Sequence, residues 1–386
     1  MGSSAESNTE SNDVTTAIRL AIRQIAQQFA DIDAEGTVRP LGQGNINDTY
    51  LVSGIPQPFV LQRLNHQVFP EPHRLMDNLH QLIHHARQRL SERPGERPWQ
   101  VPAIVPTRGG QPYWTDPQGH LWRALEFIDG ATTLNTVQTA TQAQEVGYGL
   151  GYFHLLLSDL SPASLTDTLP GFHITPGYLE TYGTVAATAS CPSPEAAYCY
   201  GQIAAHGHRL DLLETLKQRG QLPLRPIHGD PKVNNILFDR ASGQAISLID
   251  LDTVKPGLVH YDIGDCLRSS CNRLGEETEQ WQQVYFDLDI CSAVLQGYLA
   301  SAQNFLEPVE YDYLGDAAWL IAFELGLRFF TDYLAGNQYF KVRHPTHNLR
   351  RALVQFKLAE SIDRQAEDIQ ALVSRLKQAH VSPSGV

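Results

Sequence analysis

The chain has 386 residues, with 29 Lys+Arg against 42 Asp+Glu, a formal net charge of −13. That acid excess excludes the basic footprint a nucleic-acid partner needs, and it is compatible with a small neutral or cationic substrate. At 42% hydrophobic and 18% charged, the chain has an ordinary globular make-up and can build one large or two ordinary domains.

The opening "MGSSAESNTESND" has no basic or apolar leader region, and Glu6 breaks the myristoylation pattern. It reads as a tail over 1–13. Residues 14–30, "VTTAIRLAIRQIAQQFA", carry apolar side chains at helical spacing. "TVRPLGQGNINDTYLVSG" (37–54) and "QPFVLQRLN" (57–65) read as strands joined by glycine turns, and 71–90 as a two-faced helix. Residues 93–130 hold short strands and turns, with a hairpin around Asp116–Gly119. Beyond Gly130 the pattern turns helical, with helices predicted over 139–160, 196–220, 287–306, 312–335 and 347–378. The best apolar run, "AAWLIAFELGL" (317–327), contains Glu324 and is too short to span a membrane. Five cysteines, odd in number and without a CxxC pair, imply free thiols in a reducing cytoplasm rather than disulfides or zinc. Residues 379–386 read as a second tail.

The chemistry is concentrated in "RPIHGDPKVNNILFD" (225–239) and "AISLIDLDTVKPGLVHYDIGD" (245–265). "ILF" and "AISLID" read as the two strands of a hairpin turned at "SGQ" (242–244), which brings Asp230 and Asn235 near Asp250. Phosphoryl transfer needs such a set. One carboxylate accepts the proton of the attacking hydroxyl, while a carboxamide and a second carboxylate hold magnesium against the phosphate oxygens. The spacing D-x-x-x-x-N is that of a kinase catalytic loop, here His228-Gly229-Asp230 to Asn235. The plainer reading is a polar turn capped by Asp and Asn. Asp252 is a candidate second metal or substrate ligand. Upstream, Gly42 and Gly44 of "LGQGNINDTY" could let backbone N–H groups approach phosphates; an ordinary hairpin turn is the alternative.

The HGD block followed by ID resembles the aminoglycoside phosphotransferase-like kinases. "GNINDTYLV", "FVLQRLN", "WRALEFIDG", "IHGDPKVNNILFD", "IDLDTVKPGLVHYDIGDCLR" and "LRFFTDYLAGNQYFKV" together are similar to the N-acetylhexosamine 1-kinase branch of that family. The resemblance implies an α+β, two-lobed protein-kinase-like fold. Its N-lobe (14–128) would be a small antiparallel sheet and its C-lobe (129–378) larger and mainly helical. It implies ATP and Mg2+, with adenine against backbone near Glu126 and Ile128. The reaction implied is transfer of the γ-phosphoryl group to the anomeric hydroxyl of an N-acetylhexosamine. Asp230 would be the base, Asn235 and Asp250 the metal ligands, and Asn47, Asp48, Arg328 and Tyr339 sugar contacts.

One departure stands out. Where such kinases place a strand lysine for the nucleotide phosphates, "FVLQRL" has Gln62 and Arg63, which face opposite sides of a strand. Either could serve, or magnesium alone could carry the charge. Glu71 is the only carboxylate near the start of the following helix. Other acceptors (choline, homoserine, aminoglycosides) and a catalytically lapsed nucleotide-binding regulator are the alternatives. Among the remaining polar residues, His154 reads as a core hydrogen-bonding group. His344 and His347 read as an exposed helix start. Asp262 and Asp265 would orient the metal loop or cap the next helix. "GFHITPGY" (171–178) is either a substrate-side loop or an aromatic-anchored turn.

Overall fold

The structure, a computed structural model, describes residues 20–32, 36–42, 46–54, 56–93, 95, 97–189 and 191–381. The expected tail at 1–13, most of that beyond 378, and Gly44 lie outside the described residues. The chain divides into two compact units. One comprises the described residues up to Ile83 with Val101–Asp129; the other comprises His84–Gln100 and the chain from Gly130 onward.

The first unit is an antiparallel sheet. Its order is β1 (Val38–Pro40), β2 (Asp48–Val52), β3 (Phe59–Arg63), β6 (Leu121–Glu126), β4 (Ile104–Val105), with β5 (Trp114–Thr115) also paired to β6. Alternation decides what each face carries. Val52, Phe59, Leu61, Trp122 and Ala124 point to one side and meet Ile22, Ala26 and Phe29, the last two turns of a helix (α1) seen from residue 20 to 26 and its exit. Burying side chains of this size stabilises by roughly 1.5–3 kcal/mol each. On the other face Gln62 stands opposite Arg123. Helix α2 (Pro72–Glu92) starts in this unit and buries Leu75, Met76, Asn78 and Leu79.

The second unit is mainly helical. Helices α3 (Ala140–Leu157) and α8 (Leu288–Ala302) cross at glycines. A Cβ on Gly147 would lie 1.9 Å from the Val294 carbonyl oxygen, and one on Gly297 would lie 2.0 Å from that of Gln144, so only glycine permits this approach. Beside them lie α7 (Val259–Ser270) and the long α10 (Leu314–Leu334), and α10 also packs on α4 (Thr175–Ala186) and α11 (His347–Arg364). The helix predicted over 196–220 is two, α5 (Pro194–His206) and α6 (Leu212–Gln218), and 347–378 breaks at Gln365 into α11 and α12 (Ala366–Val381). Two small sheets complete the unit: β7 (Ala131–Thr132), β9 (Ile236–Asp239) and β10 (Ala245–Leu248); and β8 (Arg225–Ile227) with β11 (Lys255–Gly257). The expected hairpin is present, with Leu248 opposite Ile236. Residues 84–100 are tied to this unit: His85 and Arg89 meet Asp159, Arg97 meets Glu145, and Gln100 donates to the Ile246 carbonyl at 2.7 Å.

All five cysteines are free thiols. Among the described residues no helix is long and apolar enough to cross a membrane.

Candidate active site

The HGD segment leaves β8 and turns at Gly229, whose φ of +87° suits glycine alone. A Cβ there would also meet the Thr253 carbonyl oxygen at 2.6 Å. Asp262, fully buried on α7, closes the turn from below: it accepts the backbone N–H of His228 at 2.6 Å and of Gly229 at 2.8 Å. Its Oδ2 also meets His154 Nε2 at 2.8 Å, and His154 Nδ1 meets Tyr298 Oη at 3.0 Å. Burial would raise the Asp262 pKa, but hydrogen bonds and charge from His154 and His228 outweigh it and hold the carboxyl below its ordinary range. Asp262 therefore fixes the HGD turn, and His154 is the core hydrogen-bonding group the sequence suggested.

His228 joins the two halves of the site. Its Nδ1 accepts the Asp230 N–H at 3.2 Å and its Nε2 donates to the Ile249 carbonyl at 2.9 Å. That bonding requires the neutral ring, and burial lowers its pKa accordingly. Asn235 Nδ2 donates to the Asp230 carbonyl at 2.8 Å and to its Oδ2 at 3.2 Å, while the Ile249 N–H donates to the Asn235 carbonyl at 2.9 Å. Asp230, Asn235 and Asp250 are thus brought together around one turn and one hairpin end.

Asp250 is exposed and left-handed, with φ +64°. The returning strand ends at Leu248, and residues 251–253 form a short 3-10 turn. Asp252, the candidate second ligand, therefore does not lie on a strand in phase with Asp250; it is 3% exposed inside that turn. Magnesium takes oxygen ligands and needs only one or two protein carboxylates. The Asp250 carboxylate and Asn235 Oδ1 fit that demand. No group of three or more His, Cys, Asp or Glu clusters as a metal site among the described residues.

Lys232, two residues past Asp230, was missed at the sequence level. Its Nζ donates to Asp230 Oδ2 at 2.5 Å. Burial would lower its pKa, but Asp230 and Asp250 outweigh that, so the ammonium is held charged. The available signal was the D-x-K spacing inside "HGDPK".

Arg328, half-buried on α10, lies 5.2 Å from the Phe172 ring, 4.9 Å from Tyr178 and 5.5 Å from Phe340. Burial would lower its pKa, but Tyr178, Glu324, Tyr339 and Asp230 together outweigh that and favour its charge. Tyr339 is 55% exposed beside Phe340. Their loop is built by Asp332, which accepts N–H groups of Gln338, Tyr339 and Phe340 at 2.8–3.0 Å. "GFHITPGY" is half loop and half helix, since α4 begins at Thr175.

In the first unit the candidate residues bond to neighbours within the same unit. Gln62 Oε1 accepts Arg123 Nε at 3.0 Å and Nη2 at 2.7 Å, and its Nε2 donates to Thr49 at 3.2 Å. Arg63 donates to Asp48 through Nε at 2.9 Å and packs over Trp122 at 5.9 Å. Asn47 Oδ1 accepts the Asn65 N–H at 2.9 Å. Gly42 has φ +73°. Glu126 is exposed, its carboxylate accepting the Ala103 N–H at 3.0 Å, and Ile128 is buried. Glu71 is exposed and paired with Arg74; the inward polar residue of α2 is Asn78. In the second unit, His347 is buried against Glu277 at 2.6 Å, not exposed as the sequence suggested, because α11 packs its first turn on the 276–279 loop.

Residues 37–295 match the model of the phosphotransferase enzyme family (APH). The chain belongs to that family. It is a phosphotransferase that acts on an alcohol group. Solved structures agree on the protein-kinase-like fold. A microcompartment-associated aminopropanol kinase is 20% identical, with TM-score 0.61 over 91% of this chain and 98% of that one. A choline kinase from Cryptosporidium parvum Iowa II is 16% identical, with TM-score 0.61 over 91% and 97%. An aminoglycoside phosphotransferase from Alicyclobacillus acidocaldarius is 17% identical, with TM-score 0.53 over 93% and 96%.

Proposed function

We propose that the enzyme transfers the γ-phosphoryl group of ATP to a neutral sugar, the anomeric hydroxyl of an N-acetylhexosamine. The observation that carries this reading is the aromatic enclosure around Arg328. Three rings within about 5.5 Å are the setting in which proteins recognise substituted ammonium groups. Here the chain's own guanidinium fills that setting. A cationic acceptor would be repelled, whereas hydroxyl and acetamido oxygens could accept its N–H groups.

In this reading Asp230 aligns the acceptor hydroxyl and takes its proton as oxygen bonds to the γ-phosphorus and ADP leaves. Lys232, charged and tied to Asp230, meets the transferred group from the base side. Asn235 and Asp250 would hold magnesium, which when bound neutralises charge on the β- and γ-phosphate oxygens. Gly42, Gln62, Arg63, Glu126 and Ile128 are the proposed nucleotide contacts. Asn47, Asp48 and Tyr339 are proposed to join Arg328 at the sugar, and Asp252 is proposed as an additional metal ligand.

A second reading, an amino-alcohol acceptor, draws on the net charge of −13 and on the activities for which the aminopropanol and choline kinases are named. ADP release decides between them, with N-acetylglucosamine, N-acetylgalactosamine, glucose, choline, aminopropanol and kanamycin offered in turn and Asp250→Ala as control. The acetylated sugars are expected to turn over and the control to be silent. Preference for a cationic acceptor would overturn the sugar reading.

A further inference from the structure

We propose that His173 is a positioning residue for phosphoryl transfer: held by Glu324, it grips the Gly229 carbonyl and so fixes the peptide that aims Asp230. The inference rests on Asp230 as base and not on the identity of the acceptor.

The geometry is specific. His173 Nε2 lies 2.7 Å from the Gly229 carbonyl oxygen and Nδ1 lies 3.0 Å from Glu324 Oε1. The Gly229 carbonyl only accepts, so Nε2 carries a hydrogen, and toward an ionised Glu324 Nδ1 donates as well. Glu324 Oε2 accepts the Thr175 hydroxyl at 2.6 Å. The ring is 3% exposed and its glutamate partner 1% exposed. The neighbouring charges agree. Burial would lower the His173 pKa, yet Glu324, with a smaller contribution from Asp265, raises it; Glu324 is held below its ordinary range mainly by His173, against the effect of its own burial. Tyr261 stacks on the ring at 5.5 Å.

A buried ion pair is a poor way to gain stability, since apolar side chains of similar volume often do as well or better. The backbone points the same way. Among the described residues three non-glycines have positive φ: His173 (+64°), Asp250 (+64°) and Asn337 (+59°). Asp250 is the proposed metal ligand, and Asn337 lies in the loop that carries Tyr339. Such strain persists where the surroundings enforce it, and it gathers at working sites. His173 also adjoins Phe172, which faces Arg328. One short segment thus supplies a wall of the acceptor enclosure and a brace for the catalytic loop.

The test uses the full chain and compares His173→Gly, His173→Asn, Glu324→Gln and Asp230→Asn, with the double variant His173→Gly/Asp230→Asn. Turnover is read as ADP release with magnesium and ATP, using the acceptor found by the panel, or water if none is found. Glycine relaxes the positive φ, and asparagine tolerates it, so strain is not the variable. His173→Gly is expected to lower kcat about tenfold to 100-fold, the scale of a 1 Å misplacement. KM for ATP should stay within about twofold, because only an interaction used in the reacting state is lost. His173→Asn and Glu324→Gln should fall between parent and glycine. The double variant should be no slower than Asp230→Asn, since a residue acting through the base has nothing left to align.

Normal kcat in folded His173→Gly, multiplying effects in the double variant, or loss of folding in all three His173 and Glu324 variants would each overturn the proposal. Parent-rate turnover by Asp230→Asn would instead remove Asp230 as base, and the proposal with it. Slow Asp230→Asn beside normal His173→Gly would overturn the positioning role alone.

Discussion

The HGD turn of the second unit, the candidate catalytic turn, and the strand pair of the first hold their polar residues differently. Around Asp230 the groups that make the site are buried and hydrogen-bonded to backbone: Asp262 to two N–H groups, His228 to a carbonyl and an N–H, Asn235 to a carbonyl. In the first unit they pair side chain to side chain across β2, β3 and β6: Asp48 with Arg63, Gln62 with Arg123. The first arrangement fixes where the main chain goes. The second only fixes neighbours on a sheet whose course other residues determine. Substitutions in the catalytic turn should therefore abolish function or folding, and those in the strand pair should tune them.

The largest effect is expected at the base. Asp230→Asn should melt like the parent but lose about 10²–10⁴ in kcat, as removal of a general base does. Steady-state ADP release checks this, and retained activity would break the contrast at its centre.

Next comes Asp262→Ala. It strands two buried N–H groups and His154, so a loss of about 3–5 kcal/mol is expected by urea unfolding. A loss below about 1 kcal/mol would mean that the turn holds itself.

Asp48→Ala probes the other side. The side chains of Asp48 and Arg63 are 39% and 41% exposed, and such pairs contribute about 0–1 kcal/mol. Stability should barely move. An accompanying rise in KM for the sugar, measured on the acceptor panel, would sharpen the proposed contact; an unchanged KM would remove it.

Acid should produce the smallest effect. Burial lowers the pKa of His228 and His260 in the folded second unit. Unfolded, they take protons near the ordinary 6.5. Their lowered folded values mean the stability they lend is present above 6.5 and is lost as pH falls below it. His173, raised by Glu324, works in the opposite sense: its contribution is full below 6.5 and is lost as pH rises through its folded value. From His228 and His260 a lower melting temperature is expected at pH 5.5 than at 7, and His173 works against that drop. His260→Gln should shrink that drop, and a drop of unchanged size would exclude His260 as a source.

The same contrast explains what could be read from the chain alone. The D-x-x-x-x-N spacing, the hairpin that returns Asp250, and the order of strands before helices are local or periodic facts, and each corresponds to a feature of the structure. Helix α7 was not read from the sequence: Asp262, Asp265 and Arg268 recur on it at helical spacing, but they are buried and serve hydrogen bonds and an ion pair instead of marking a solvent face. The break between α5 and α6 and the start of α4 inside "GFHITPGY" were obscured for a related reason: continuous helical spacing does not say where tertiary packing ends a helix.

By itself the sequence brought the candidate catalytic residues together as a set, because their spacing along one turn and one hairpin is covalent and short. Only the tertiary structure decided how they are held. Asp262 lies 32 residues beyond Asp230 and Glu324 lies 151 beyond His173, and each reaches the turn only when α7 and α10 pack against it. Arg328 likewise becomes the filler of an aromatic enclosure only because two separate segments, 171–178 and the loop at 340, converge on it. Hydrogen bonds and ring contacts act over a few ångströms of space, and separation along the chain does not reveal that distance.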